Sequence, residues 1–167
     1  VSIVTYMTPT IDILHAAKAC AKSRVVKNIF VIDNSPKDSL REIVESIDKV
    51  IYIFNPSNPG YGAGHNLGIR RSFSDEVRFH LVLNADVIFD SDILEDMANY
   101  AEVNDQVGLI APKMFYEDGS IQCNRKLLPT PINMLLRAFL PKKYRSRVDD
   151  YYQLESFGYD KEMFVPC

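Results

Sequence analysis

Short strand-like runs recur along this chain, the first of them β-branched. Each is followed by a stretch with helical spacing, and each stops at polar, turn-forming residues. The runs are Val1–Thr5, Asn28–Ile32, Val50–Phe54 and Phe79–Leu83. Largely apolar runs of this length suit strands buried on both faces. After the first run, Thr8-Pro9-Thr10 supplies a turn and a helix cap, and Ile11, Leu14, Ala17 and Ala21 fall on one helical stripe. Ser39 and Glu42 have the spacing of a capping box before a second stripe, Leu40, Ile43, Val44 and Ile47. The Asn/Pro/Gly-rich segment from Asn55 to Gly64 leads into a third helix through Leu67, Ile69 and Phe73. A helix from about Asp92 to Ala101 and a strand near Val107–Ile110 close the regular part. Strands alternating with helices in this way predict an α/β fold, a mostly parallel sheet flanked by helices. Beyond Pro112 the pattern changes to a small hairpin, Lys113–Cys123, turning at Asp118-Gly119. The apolar, proline-punctuated Leu127–Pro141, the basic Lys142–Arg147 and a Tyr-rich tail follow without a clear period.

A chain of 167 residues buries enough surface for one domain. Its 19 basic and 22 acidic residues leave a net charge of -3, which argues against a dedicated nucleic-acid binder, where a basic stripe is usual. No apolar run approaches the roughly 18 residues of a membrane span, and Val1–Tyr6 has none of the features of a signal peptide. Cys20, Cys123 and Cys167 stand far apart and in no CxxC arrangement, which argues against a zinc site or a disulfide framework. The expected setting is a soluble protein in a reducing cytoplasm.

In open α/β sheets, ligands bind in the crevice beyond the carboxyl ends of the strands. Those ends are polar here: Thr5-Tyr6, Asp33-Asn34-Ser35, Asn55 with the segment Asn58–Asn66, and Asn84-Ala85-Asp86. Singly, Asp33-Asn34-Ser35-Pro36 is an ordinary turn and Asp86 a helix cap; placed together on one sheet edge, they favour a binding site. Gly60, Gly62 and Gly64 make a loop that permits positive φ and close backbone approach, ahead of a helix whose free N–H groups suit a phosphate. Counting excludes two familiar phosphate motifs. A GxGxxG fingerprint requires glycine where His65 stands, and no GxxxxGK run exists. Asp86 alone makes no cage for Mg²⁺ or Mn²⁺, but one carboxylate plus a bound diphosphate and waters does. His15 reads as a surface or boundary residue and His80 as structural, while His65 inside the Gly-rich segment divides evenly between ligand contact and packing. The basic Lys142–Arg147 reads as a solvated segment, with acidic lipid headgroups or a phosphate as its alternative contacts.

Together, Val1–Tyr6, the Asp33-Asn34-Ser35 turn, Asn58–Ile69, Leu81–Asp86, Pro112-Lys113 and Asp118–Gln122 resemble family 2 glycosyltransferases. The similarity is greatest to the rhamnosyltransferase-like bacterial branch and runs from residue 1 to about residue 125. The resemblance implies a GT-A (Rossmann-like) fold and an inverting transfer of a sugar from a nucleotide diphosphate-sugar, of the dTDP-rhamnose or UDP-sugar type. The acceptor would be a glycan or a lipid-linked molecule in cell-surface polysaccharide synthesis. By analogy Thr5, Tyr6 and Asp33 contact base and ribose, and Asn58, Gly60, Tyr61, Gly62, Gly64, His65 and Asn66 lie near the diphosphate and sugar. Asn84-Ala85-Asp86 takes the place of the family's DxD motif, with Asp86 holding Mg²⁺ or Mn²⁺ and Asn84 replacing the first aspartate.

The resemblance also implies a division into a nucleotide-sugar-binding core, residues 1–125, and the start of an acceptor-side region, 126–167. Relatives run on for roughly one further domain's worth of chain, so the catalytic base is expected beyond residue 167. Peripheral association with the inner face of the membrane, and a homodimer formed by apolar surface left uncovered, complete the expectations. The alternative is a non-catalytic nucleotide-sugar-binding protein, or a fragment, that keeps only the donor half. A nucleotidyltransferase would need a Gly-rich phosphate loop soon after the first strand, and Thr8-Pro9-Thr10 offers none.

Overall fold

The structure, a computed structural model, describes residues 1–122 together with Thr130, Pro131, Met134, Phe139 and Pro141. Cys123 of the expected hairpin, the rest of the Leu127–Pro141 segment, the basic Lys142–Arg147 and the tail with Cys167 lie outside the described residues. The chain divides into two compact units, Val1–Ile110 and Ala111–Cys167.

The first unit is an α/β layer structure. Its strands are β1 (Ser2–Thr5), β2 (Ile29–Asp33), β3 (Val50–Phe54) and β4 (Val82–Leu83), all parallel, in the order β3-β2-β1-β4. The helices are α1 (Thr10–Lys22), the single turn α2 (Arg41–Val44), α3 (Tyr61–Ser74) and α4 (Asp92–Val103). The central strands β1 and β2 are buried along their whole length, as expected for strands covered on both faces. Ile3, Ile29 and Val31 point to a core shared with Ile13, Ala16, Ala17 and Cys20 of α1 and Leu94 of α4. Val4, Phe30 and Ile32 point the other way, toward Leu67 of α3. Burial drives the Cys20 thiol up to about 11, which leaves it an inert core residue.

The second unit contains a two-residue-per-strand hairpin, β5 (Met114–Phe115) against β6 (Ile121–Gln122), antiparallel. Gly119 supplies its turn at φ 79°, and Asp118 accepts from both the backbone and the hydroxyl of Ser120. The Asp118-Gly119 turn is therefore as expected.

Several local expectations are corrected. The buried face of α1 is Ile13, Ala16, Ala17 and Cys20, whereas Ile11 is exposed. Small residues carry this face because they let the helix lie close to the sheet. Pro9 occupies the N-cap of α1 without any side-chain cap. The Ser39–Glu42 capping box does not form: α2 begins at Arg41, with the buried Leu40 as its N-cap. Phe73 is exposed. The fourth strand is shorter than Phe79–Leu83, because His80 turns its ring to bond Ser2 and Ser72 and Phe79 is exposed. Val107–Ile110 is not a strand, since no described strand lies beside it to complete a ladder.

Candidate active site between β1 and β4

The sheet order places the reversal of the winding beside β1. The chain steps outward from β1 to β2 and β3, then crosses back to lay β4 on the other side of β1. Ligands of open α/β sheets bind at this switch point, where the loops leaving the two neighbouring strands part. A cleft of about 350 Å³ lies there, lined by Val4 of β1, by Thr8, Pro9 and Asp12 after it, and by Asn84, Ala85 and Asp86 after β4. Asn84 and Asp86 are exposed while Ala85 between them is buried, so the NAD segment anchors on its middle residue and presents both polar ones.

Tyr61, the first residue of α3, reaches the same place. Its hydroxyl donates to Asn84 Oδ1. Its phenol is pushed up first by burial and then by the negative charge of Asp86, which places the two near each other. Gly60, the N-cap of α3, has φ 98°, a conformation that glycine adopts without strain. No acidic side chain lies in the first turn of α3, and no side chain caps it. Its leading N–H groups are therefore available to an anion.

The other two glycines have a different role from the one expected. Gly62 and Gly64 lie within α3 and have no positive φ. A Cβ at position 64 would stand 2.9 Å from Val4 Cγ2, and one at Gly68 2.6 Å from Ser2 Cβ. Gly64 and Gly68 thus let the helix lie directly on β1, which brings Tyr61 to the mouth of the cleft.

A second polar cluster sits at the end of β2. Asp33 is fully buried; its Oδ1 accepts from the Ser35 backbone N–H at 2.9 Å and its Oδ2 from the Tyr52 hydroxyl at 2.7 Å. Burial, then the bond to Asp33, holds the Tyr52 phenol far above its usual range. Asn34 accepts from Asn55 Nδ2 at 2.7 Å, and Ser35 Oγ accepts from the backbone N–H of Met7 at 2.9 Å. Met7 itself has φ 52°. This cluster braces the turn after β1, which carries the exposed Tyr6.

Of the residues singled out from sequence, Tyr61, Asn84 and Asp86 share the cleft region. Thr5 is buried and its Oγ1 lacks a partner among the described residues. His65 is buried beneath Tyr61, its ring edge-on at 4.4 Å and 72°. Asn58 (φ 41°) and Asn66 are exposed. The cleft residue missed from sequence is Asp12: its place beside Asp86 depends on β4 returning to the far side of β1. Among the described residues no group of three or more His, Cys, Asp or Glu could hold a metal. Two carboxylates, Asp12 and Asp86, line the cleft; they are too few for a protein-only cage, and a divalent ion there would need further ligands from a diphosphate and waters.

Sequence comparison decides the lineage of this site. The profile of glycosyl transferase family 2 matches residues 4–164. The chain belongs to that family. Within it, 115 residues are 36% identical to the low-salt glycan biosynthesis hexosyltransferase Agl10 of Haloferax volcanii, covering 68% of this chain and 36% of that protein. The chain thus spans about a third of the length of this curated relative. Among solved structures, the crystal structure of S. aureus TarS residues 1–349 is similar with a TM-score of 0.48 and 15% identity, over 93% of this chain and 54% of that one. Among the described residues, no helix of this family 2 chain is long and apolar enough to cross a membrane.

Proposed function

We propose that the cleft between β1 and β4 binds a nucleotide diphosphate-sugar, and that the protein transfers the sugar with inversion to a glycan or lipid-linked acceptor. The observation that carries this reading is the meeting of Asp86, Asp12 and Asn84 with Tyr61, the first residue of α3, at the switch point of the sheet. The N–H groups of that first turn face the diphosphate, Asp86 and Asp12 would hold a divalent ion beside it, and Tyr6, Asn58 and Asn66 supply surface contacts to base, ribose or sugar. Asp33, Thr5 and His65 are almost without exposed surface; we assign them to shaping the site from beneath. On this reading residues 1–125 are the donor-binding core and 126–167 begin the acceptor side.

As the bond from the anomeric carbon to the diphosphate breaks, the nucleoside diphosphate leaves with the electron pair and gains negative charge. Groups already aimed at that charge lower the barrier, and here these are the α3 N–H groups. A bound Mg²⁺ or Mn²⁺ supplies further neutralisation of the leaving diphosphate. The acceptor hydroxyl attacks from the opposite face and gives up its proton to a base. The donor is of the dTDP-rhamnose or UDP-sugar type in this proposal, and the work is done at the cytoplasmic face of the membrane in surface-glycan synthesis.

Calorimetric titration with UDP, dTDP and GDP, each with Mn²⁺ and with a chelator, tests the reading. Binding that selects one nucleotide, is tightened by Mn²⁺ and loses that tightening in Asp86→Ala is expected. Failure of all three nucleotides to bind would sink it. A second reading, a donor-binding protein without transfer, is favoured by Asn84, whose amide oxygen is taken by Tyr61. It shares the binding result and differs in giving no release of nucleoside diphosphate when acceptor is added.

A further inference from the structure

Under α3 runs a row of polar side chains for which the donor site has no direct use. Ser72 Oγ lies 2.7 Å from His80 Nδ1, His80 Nε2 lies 2.8 Å from Ser2 Oγ, and Ser2 Oγ lies 2.6 Å from His65 Nδ1. The helix contributes Ser72 and His65, β1 contributes Ser2, and the segment before β4 contributes His80. Ser2, His65 and Ser72 are all buried. Polar groups in such a place are costly unless satisfied; the ring and hydroxyl atoms of this row are bonded to one another except His65 Nε2, which is buried without a partner among the described residues.

The row does not end at His65. Its ring meets Tyr61 edge-on, and the Tyr61 hydroxyl donates to Asn84. An unbroken series of contacts therefore leads from Ser72, near the far end of α3, to the residue two before Asp86.

The bonds in this row have one direction at a time. Each serine hydroxyl has one proton to give, and each neutral imidazole has one N–H. If Ser2 donates to His65, then His80 donates to Ser2 from Nε2, Ser72 donates to His80, and His65 carries its proton on Nε2. If Ser2 donates to His80, every bond reverses, and His65 carries its proton on Nδ1. Burial lowers both imidazoles below the usual range, so both are neutral at pH 7. Hence neither histidine chooses its tautomer alone.

We propose that Ser72, His80, Ser2 and His65 act as one hydrogen-bonded unit that fixes the Tyr61 ring and, through its hydroxyl, holds Asn84 in the cleft. They are positioning residues and do not touch the donor. Their effect on ligand affinity rests on the cleft being the donor site, whereas the coupling from Ser72 to Asn84 does not.

The test uses the full ¹⁵N-labelled chain without nucleotide, reading imidazole ¹⁵N spectra and the side-chain amide of Asn84. Ser2→Ala removes only the hydroxyl and keeps the Cβ against which Gly68 packs. It is expected to change the tautomer pattern of both histidines and to move the Asn84 amide. Ser72→Ala, at the remote end, moves the same signals in the same direction and decides the matter if Ser2→Ala does not fold. Tyr61→Phe keeps the histidine pattern and frees the Asn84 amide, an outcome that a general loss of packing does not produce. Unchanged Asn84 and His65 signals in the serine variants overturn the proposal. A second arm titrates each variant with UDP, dTDP and GDP plus Mn²⁺, and affinity for the selected nucleotide falls about threefold to tenfold, the worth of one hydrogen bond. If the wild-type chain binds none of them, the donor reading fails while the spectra still decide the coupling.

Discussion

Gly68 stands so close to Ser2 that a Cβ at position 68 would lie 2.6 Å from the Cβ of Ser2. The obstacle is an atom fixed by the backbone of β1, which no rotamer change relieves. Gly68→Ala must therefore push α3 off the sheet. We expect a loss of about 3 kcal/mol, the upper range for overpacking a core. Urea denaturation measures it, and a change below about 0.5 kcal/mol would contradict the packing described. Because α3 carries Tyr61 and His65, the same variant is expected to weaken any ligand held at the cleft.

Tyr52→Phe tests the brace behind the turn after β1. The Tyr52 hydroxyl donates to Asp33 Oδ2 inside a fully buried cluster. Its removal leaves the carboxylate with the Ser35 backbone N–H as its remaining named donor. Hydrogen bonds to charged groups contribute about 1.5–3 kcal/mol, and a loss in that range is expected in denaturant melts. Tyr52→Phe with Asp33→Asn is expected to cost less than the two single losses summed, since the charge that needs the hydroxyl is gone.

Asp12→Asn tests the cleft without touching the NAD segment. Asp12 lies in the first turn of α1 and lines the cleft with Asp86. Removing its charge is expected to weaken Mn²⁺-dependent nucleotide binding about tenfold, or ~1.4 kcal/mol. Binding measured with a chelator present is expected to be unchanged by the substitution. An equal loss with and without Mn²⁺ would mean that Asp12 supports the loop and not the ion.

The first three strands were legible because each is a short run rich in β-branched residues closed by polar ones, whereas β4 kept only the last two residues of its expected run and Val107–Ile110 formed no strand. Val50–Phe54 is matched residue for residue, and the polar ends at Asp33 and Asn84 emerge on one edge because all four strands are parallel. The strand order was not legible, since nothing local in Val82-Leu83 says on which side of β1 it will lie. Asp12 was missed for that reason. Gly62 and Gly64 read as loop because glycine clusters usually are. The signal against it was the four-residue step from Gly64 to Gly68, which puts both on one helical face, against Val4 and Ser2. The α1 face misled through size: Ile11 and Leu14 are large, but Ala16, Ala17 and Cys20 are what the sheet has room for.

Acid should destabilise this fold through His80. Burial is the largest cause that lowers its pKa from 6.5 to about 4. Between those values the unfolded chain binds a proton that the folded chain does not. Stability is therefore fully present above pH 6.5 and is lost as the pH falls toward about 4. His65, lowered in the same direction by burial, adds to the slope. Carboxylates contribute as well below about pH 5, so the wild-type slope alone does not isolate the histidine. The comparison with His80→Gln does: glutamine still offers a polar group to Ser2 but takes up no proton. Urea midpoints measured from pH 7 to pH 4 are expected to fall less steeply in the variant, with the difference greatest between pH 6 and pH 5. Parallel slopes in the two proteins would mean that His80 is not the group that charges.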